Sequence, residues 1–180
     1  MIKLSNAEAA LLGLLAEQDM YPYQIEQEVK YRDMRFWTEL SMSSIYKLLK
    51  KLEKSDLVIR KNQISAENRL QKFYSLSDKG MQVLQAKILE LLTVPEHMRW
   101  QIDIGLYNSS VLSKEEVHKA LTAYRGELEE KIKGYHDLLQ FLKDCQCPPH
   151  RFTLAKRPVI LLQAEIEWID SYLSEMNGSD

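Results

Sequence analysis

Residues 41–80 read SMSSIYKLLKKLEKSDLVIRKNQISAENRLQKFYSLSDKG, and this stretch carries the strongest structural signal in the chain. It opens with serines and continues into a helix whose apolar positions recur at i, i+3, i+4 and i+7, the period of one buried face. Those positions are Ile45, Leu48, Leu49 and Leu52. The side chains that project elsewhere leave the exposed surface cationic, and they are Tyr46, Lys47, Lys50, Lys51 and Lys54.

Two short β runs follow this helix. Leu57–Ile59 predicts one strand, Lys72–Leu76 predicts its partner, and the polar segment 61–71 between them predicts a flexible hairpin tip. A winged helix-turn-helix requires a helix for a DNA groove and a basic hairpin for the flanking backbone. The stretch therefore predicts a DNA-binding module. The alternative is a winged helix that is used purely for protein contacts.

The positive charge of the chain is concentrated in the same stretch. The net charge of −2 is not typical of a nucleic-acid binder, but residues 41–80 contain nine Lys or Arg against four Asp or Glu. Residues 81–180 contain 11 bases and 15 acids. Local electrostatic fields steer association with DNA, so the distribution of charge along the chain, and not its total, indicates whether the chain can bind DNA. The acidic second half indicates a role other than binding phosphate.

The bulk composition is that of a globular protein. The chain has 180 residues, of which 45% are hydrophobic and 28% charged, enough for one large domain or two small ones. No apolar run approaches the roughly 20 residues of a membrane span. Near the N-terminus, Ser5 or Asn6 before an apolar stripe favours a capped helix over a signal peptide. We therefore expect a cytoplasmic protein with no membrane partner.

The segments around this stretch complete a winged-helix order over residues 1–93, with a boundary near Pro95. The expected elements are a helix from Ser5 to Glu17, a second from Tyr23 to about Lys30, a looser connection from Tyr31 to Leu40, the recognition helix, the hairpin, and a helix from Asp78 to about Thr93.

Residues 94–180 predict a helical domain. A short helix is expected from Glu96 to Tyr107, and a capping box of Ser113 and Glu116 opens a helix that runs to about Lys143. A last helix is expected within 154–176, with its true start near Arg157, because Pro158 is tolerable only in the first turn.

This helical layer is thin. Its apolar positions from Val117 to Leu142 and from Leu161 to Leu173 cannot all be buried within one copy, so the simplest partner is a second copy of the chain. The predicted fold class is therefore mainly α: an N-terminal winged helix-turn-helix with a two-stranded wing, plus a C-terminal helical dimerisation domain. A two-fold dimer would place two recognition helices about one turn of DNA apart and match a palindromic operator.

The chain resembles the PadR-type transcriptional regulators. The resemblance rests on LLGLLAEQDMYPYQI (11–25), on SSIYKLLKKLEKSDLV (43–58) and on YSLSDKG (74–80). The chain departs from the family pattern at Pro22 and at Asp56, where a glycine is usual, and this leaves the local turn geometry open. By length and helix order, the second half fits the subgroup with a longer helical dimerisation domain. The resemblance implies a dimeric repressor that is often released from its operator by a small molecule, sometimes an aromatic one.

The candidate DNA-binding residues lie on the recognition helix and the wing. They are Ser43, Ser44, Tyr46, Lys47, Lys50, Lys51, Arg69 and Lys72. No Asn, Gln or Arg stands between Tyr46 and Lys54, so the usual bidentate readers of bases are scarce. We expect the lysines to contact the DNA backbone, whereas Ser43, Ser44 and the shape of the DNA supply specificity. The alternative for the helix is an ordinary solvated face.

Other residues admit weaker interpretations. Trp100, Tyr107 and Trp168 are candidates for an aromatic effector pocket, although aromatics at helical spacing also occur as plain core. Cys145 and Cys147 are interpreted as ordinary thiols, because a structural zinc site needs four ligands and no second pair is visible. No metal or other cofactor is predicted.

No enzyme signature is present: the sequence has no glycine-rich phosphate loop and no nucleophile elbow. The leading hypothesis is a homodimeric, sequence-specific DNA-binding repressor that a small molecule releases. The alternative is an adaptor that binds protein through its winged helix.

Overall fold

The computed structural model of the chain describes residues 3–64 and 70–178. The chain divides into two compact units, Met1–His97 and Met98–Asp180. The N-terminal unit contains α1 (Asn6–Glu17), α2 (Pro22–Tyr31), a 3-10 turn (Met34–Phe36), α3 (Met42–Lys54), β1 (Val58–Ile64), β2 (Leu70–Leu76) and α4 (Asp78–Thr93). The C-terminal unit contains α5 (Gln101–Tyr107), a 3-10 turn (Ser109–Val111), α6 (Lys114–Asp144) and α7 (Pro149–Gly178). The predicted mainly helical fold with a two-stranded wing is confirmed.

The N-terminal unit has one apolar core, to which α1, α2, α3, the strands and α4 all contribute. The recognition helix α3 enters this core through Ile45, Leu49 and Leu52, each 1% exposed, as its apolar period predicts. Burying side chains of this size contributes roughly 1.5–3 kcal/mol each, so the core fixes which face of α3 points outward.

The turn from α3 into the wing explains why an aspartate can stand where the resemblance leads one to expect glycine. Asp56 has a φ of 56°, in the left-handed region that Gly, Asn and Asp adopt more readily than other residues. Its N–H donates to the carbonyl of Glu53 at 3.0 Å, and the N–H of Leu57 donates to the carbonyl of Leu52 at 2.9 Å. These two bonds form a Schellman motif, which ends the helix and sets the direction of β1.

The wing is longer than the sequence predicts. The strands pair antiparallel from Val58 opposite Leu76 out to Ile64 opposite Leu70. The prediction that 61–71 forms the tip is therefore wrong for 61–64 and 70–71, which are strand, and Leu57 precedes the strand. Lys61, Asn62 and Gln63 have low intrinsic strand propensity, and the backbone ladder holds them extended.

The base of the wing is anchored on both edges. β2 pairs with β1 on one side, and on the other Met20 and Tyr74 exchange two backbone hydrogen bonds of 3.0 Å. The Ser75 hydroxyl also donates to the Asp19 carboxylate at 2.7 Å. The inner end of the wing is thus fixed to the connection between α1 and α2.

The start of α4 packs closely against the turn that ends α3. Ser77 caps α4 by accepting from the N–H of Gly80 at 2.9 Å, and its hydroxyl donates to the carbonyl of Asp56 at 2.7 Å. A Cβ at Gly80 would overlap the carbonyl oxygen of Leu57. Only glycine therefore allows this approach of helix to turn.

In the C-terminal unit, α6 and α7 pack against each other around Val117, Leu121, Leu128 and Ile169. The Ser113–Glu116 capping box is present at the start of α6, as predicted. Two polar contacts join the helices: the Tyr124 hydroxyl donates to Glu165 at 2.8 Å, and the Arg125 Nε donates to Asp170 at 2.7 Å. Burial, together with the Glu165 carboxylate, raises the pKa of Tyr124 to about 12.

Two predicted helix starts in this unit are wrong. Helix α5 begins at Gln101, not near Glu96, and α7 begins at Pro149, so that Pro158 lies inside it. Pro149 occupies the first helical position, where a missing N–H costs nothing. Pro158 gives up one backbone hydrogen bond, and the burial of Ala155 and Val159 on either side of it offsets that loss.

Several of the apolar positions that suggested a second copy are buried within a single chain. Val117, Leu121 and Leu128 lie in the α6–α7 interface. A second set of large apolar side chains in the two long helices stays exposed, and it comprises Leu138, Phe141, Leu154, Ile160, Leu161 and Trp168.

Candidate nucleic-acid interface

The outward face of α3 carries a row of exposed residues opposite its buried face. Ser43, Lys47, Lys50 and Lys54 are spaced at i, i+4, i+7 and i+11 and are all exposed. We call these four residues the lysine stripe. Among the described residues, no carboxylate lies within ion-pair distance of its three ammonium groups. The stripe therefore presents uncompensated positive charge along one helix.

The structure gives Lys51 and Ser44 contacts within the fold. The Lys51 Nζ lies 2.7 Å from the Glu8 Oε1 on α1. The Ser44 Oγ donates to the carbonyl of Ser41 at 2.6 Å and accepts from its N–H at 2.9 Å, which closes the start of α3. Tyr46, at 54% exposed, stands beside the stripe. Lys54 was not among the candidate residues, although the helical spacing from Lys47 and Lys50 could have identified it.

Glu8 is a buried carboxylate that joins α1 to α3. Its side chain is 3% exposed and accepts from the N–H and the Oγ of Ser5, at 2.8 and 2.9 Å, in addition to Lys51. Burial acts to raise the pKa of Glu8, but the hydrogen bonds from Lys51 and Ser5 outweigh it, so that the pKa lies below its usual value. The ionised form is thus the one that the folded state stabilises.

We expect Lys51→Ala to lower the free energy of unfolding by about 2 kcal/mol, because it leaves a buried carboxylate short of one charged donor. Lys50→Ala is the matched control and should change stability by less than about 0.5 kcal/mol, since its ammonium forms no ion pair or hydrogen bond with any described residue. Urea unfolding at pH 7 measures both. Equal stability of the two variants would contradict the structural role of Lys51.

The pH dependence of the free energy of unfolding should change when Glu8 is substituted. The pKa of Glu8 is lower in the folded state than in the unfolded state, so its ionised form stabilises the fold. This contribution is fully present at a pH above the unfolded-state pKa, and it is lost as the pH falls through the folded-state pKa. Glu8→Gln should therefore flatten the acid limb of the stability curve relative to the parent chain.

The inner face of the wing continues the surface of α3. Arg60 lies opposite Tyr74 in the ladder, and its Nε lies 3.3 Å from the Glu53 Oε1 of α3. Burial, and then the Glu53 carboxylate, raises the pKa of Tyr74. One step further out on the same face, Lys72 lies opposite Asn62, and both are exposed. Asn62 and Lys72 thus lie side by side on one exposed face of the wing, and the register identifies the pair.

The other candidates stand as follows. Arg69 lies outside the described residues. Trp100 is 48% exposed, Tyr107 88% and Trp168 39%, and the Trp168 ring stacks on Tyr172 at a centroid distance of 5.8 Å. At that exposure, Tyr107 lines no enclosed cavity formed by the described residues of its own unit.

The part of the chain that the structure describes contains neither a metal-binding cluster nor a membrane-spanning helix. Over residues 3–64 and 70–178, no three His, Cys, Asp or Glu side chains are placed to hold a metal ion. Cys145 is exposed, Cys147 is half-buried, and both thiols are free. No described helix combines the length and apolar character of a membrane span.

Comparison with known proteins gives consistent matches. The model of the "Transcriptional regulator PadR-like family" matches residues 11–86. The "Negative transcriptional regulator PadR" of Bacillus subtilis (strain 168) is 28% identical over 129 residues, which cover 72% of this chain and 69% of that protein.

Solved structures share the fold. Bacillus subtilis PadR in complex with operator DNA has a TM-score of 0.76 at 22% identity, covering 94% of this chain and 98% of that one. The same protein in complex with p-coumaric acid has a TM-score of 0.77 at 20% identity, covering 97% and 99%. The Vibrio cholerae virulence activator AphA has a TM-score of 0.65 at 21% identity, covering 97% and 100%.

Proposed function

We propose that this chain is a transcriptional regulator of the PadR-like family, whose model matches residues 11–86, and that it acts as a homodimeric repressor of a palindromic operator. In this proposal the C-terminal unit forms the dimer and the N-terminal unit binds double-stranded DNA. A small aromatic effector releases the protein from its operator.

The observation that carries the DNA-binding role is the lysine stripe. Three ammonium groups lie along one exposed helix face without a carboxylate partner in the described part of the chain. A helix of this width fits the major groove, and lysines along it reach phosphates. Lys72 and Asn62 on the inner face of the wing extend the same surface toward the flanking backbone.

Specificity in this proposal comes from few direct contacts. The stripe contains Ser43 but no Asn, Gln or Arg, so bidentate readout of bases is absent from it. Tyr46 lies beside the stripe and can contact a base edge or a phosphate. The sequence-dependent shape and deformability of the operator would supply the remainder.

Dimerisation is supported by the apolar side chains that α6 and α7 leave exposed. Monomeric proteins rarely expose apolar patches larger than a few hundred Å². A two-fold pair would cover them and bring two copies of α3 to successive turns of a palindrome.

Repression and effector release are supported by the relatives. The Bacillus subtilis protein is named a negative regulator, and one of its structures contains p-coumaric acid. Trp100, Tyr107 and Trp168 stay predicted effector residues. A reporter gene behind the operator, with and without a phenolic acid, tests both points.

A salt titration of binding to operator-containing duplex DNA tests the main proposal. We expect Lys47→Ala and Lys50→Ala each to weaken binding on every sequence and to lower the slope of log affinity against log salt by about one unit per protomer, as the loss of one phosphate contact requires. A changed base preference with an unchanged slope would show that the lysine reads bases.

The same titration separates the repressor from the alternative, a winged-helix adaptor that binds only protein. An adaptor would bind duplex DNA weakly at every salt concentration. In that case neither lysine substitution would alter the binding curve.

A further inference from the structure

The turn that joins α2 to α3 is longer than a helix-turn-helix motif requires. About three or four residues are enough to join the two helices of such a motif, whereas residues 32–41 form the connection here. The added length includes Arg35, Phe36 and Trp37, which are all exposed. Phe36 is 74% exposed and Trp37 is 51% exposed, although large aromatic side chains are usually buried to a greater degree. We call Arg35, Phe36 and Trp37 the turn triad.

The turn is tied to the fold on both sides of the triad, and the side chains of the triad take no part in this anchoring. Met34 and Leu40 are both buried in the apolar core of the N-terminal unit. The Thr38 hydroxyl joins them, because it donates to the carbonyl of Met34 at 2.7 Å and accepts from the N–H of Leu40 at 3.3 Å. The rings of Phe36 and Trp37 are not part of that core. The fold therefore presents the triad outward on an anchored segment.

The polar groups of the triad have no partner in the described part of the chain. The neighbouring Arg32 is used within the fold, since its guanidinium lies 2.7 Å from the carboxylates of Glu17 and Glu28. The Arg35 guanidinium, in contrast, forms no ion pair or hydrogen bond with any described residue, and the Trp37 indole N–H has no described acceptor. The guanidinium fork matches a phosphate, and an indole combines an apolar face with one hydrogen-bond donor. These two chemistries together suit the sugar and phosphate of a nucleic-acid backbone.

The position of the turn selects double-stranded DNA as the partner. In helix-turn-helix complexes the first helix crosses the DNA backbone, and the N-terminal residues of the recognition helix contact base edges. The segment between the two helices therefore passes over the edge of the groove. Here the triad ends six residues before Ser43, which opens the lysine stripe. The turn also contains Asp33 and Glu39, so it offers one cationic contact and not a broad basic patch.

We propose that the turn triad is a further contact with the DNA backbone, beside the groove that α3 enters. Arg35 binds one phosphate, Trp37 packs its ring on the adjoining deoxyribose, and Phe36 extends the apolar contact. Contacts of this kind fix the position of the protein on the duplex and carry no sequence information. The inference rests on the proposed DNA binding and adds a segment outside α3 and the wing.

Substitution of Arg35 tests the phosphate contact. We expect Arg35→Ala to lower the slope of log affinity against log salt by about one unit per protomer. The loss should occur on the operator-containing duplex and on a duplex of mixed sequence alike, because a backbone contact does not depend on sequence. Arg35→Lys keeps the charge and should keep the slope of the parent. Lys131→Ala, which removes an exposed lysine of α6, is the control for total charge and should leave the slope unchanged.

Substitution of Trp37 tests the contact with the sugar. Trp37→Ala should weaken binding by about tenfold with the slope unchanged, because an apolar contact releases no counterions. Trp37→Phe retains a ring and should recover most of the affinity. Hydroxyl-radical footprinting, which cleaves at exposed deoxyriboses, locates the contact. Trp37→Ala should lose the protection of about one or two sugars in each half-site, while the rest of the footprint stays as in the parent.

Three further outcomes would contradict the inference. If the parent binds duplex DNA and Arg35→Ala and Trp37→Ala bind with its affinity, slope and footprint, the turn triad does not contact DNA, while the proposed DNA binding stands. If the two variants melt at a lower temperature by circular dichroism and weaken the whole footprint evenly, the triad acts through the fold and not through a contact. A parent that does not bind duplex DNA would overturn both the triad contact and the proposed function.

Discussion

Gly80→Ala should unfold the N-terminal unit at temperatures where the parent chain is intact. The added methyl group would occupy the place of the Leu57 carbonyl oxygen, and backbone cannot move aside as a flexible side chain can. Relief requires that the start of α4 and the turn after α3 separate. We expect a loss of about 3 kcal/mol or more, at the upper end of the cost of overpacking, and a melting temperature of the N-terminal unit lower by about 12 °C or more.

The matched control is Gly13→Ala in α1. Nothing lies within 4 Å of a Cβ at that position. Since alanine favours a helix over glycine by up to about 1 kcal/mol, this variant should be slightly more stable than the parent. Thermal unfolding followed by circular dichroism measures both. If Gly80→Ala melts with the parent, the close approach of α4 to Leu57 is not present in solution.

Replacing all three lysines of the stripe by alanine should reduce operator affinity by about three orders of magnitude at low salt. The proposed dimer loses six positive charges that face the DNA, and the release of counterions contributes most of the affinity in such complexes. Because no described residue forms a hydrogen bond or ion pair with these three side chains, the melting temperature of Lys47→Ala/Lys50→Ala/Lys54→Ala should equal that of the parent.

A control with the same change in net charge separates local from global electrostatics. Lys119→Ala/Lys131→Ala/Lys133→Ala removes three exposed lysines of α6 and should reduce affinity by less than about tenfold. Fluorescence anisotropy of a labelled operator at two salt concentrations measures both triple variants. Similar losses in the two would mean that total charge, and not the stripe, drives binding.

Local signals in the sequence predicted much of the fold. The apolar period of α3, the capping of α1 after Ser5 and the capping box at Ser113 each depend on residues within one or two turns, and the structure has all three. The predictions for the extent of the wing and for the start of α7 were wrong, because both features depend on contacts with segments elsewhere in the chain. A backbone ladder extends β1 through polar residues, and packing on α6 holds α7 helical through Pro158.

The site was predicted less completely than the fold. From the sequence, Lys51 was grouped with the other exposed lysines of α3. The helical period contains no information about Glu8 on α1, which lies beside Lys51 in the folded chain. Likewise, the sequence could not show that Asn62 and Lys72 are neighbours, because that depends on the register of the two strands. Contacts between elements therefore decide which charged side chains are paired within the fold and which stay exposed.

Given the proposed role of α3, its separation of exposed positions from structural ones would make this protein a scaffold for altered DNA recognition. Positions 43, 47, 50 and 54 can be varied together without touching the buried face, the two Ser41–Ser44 hydrogen bonds at the helix start, or the link from Lys51 to Glu8. The change at position 43 gives up the 3.4 Å contact between the Ser43 and Ser41 hydroxyl groups. A library at these four positions would sample new operator preferences on one unchanged framework. Members with arginine, asparagine or glutamine there would gain the bidentate readers of guanine and adenine that the natural stripe lacks.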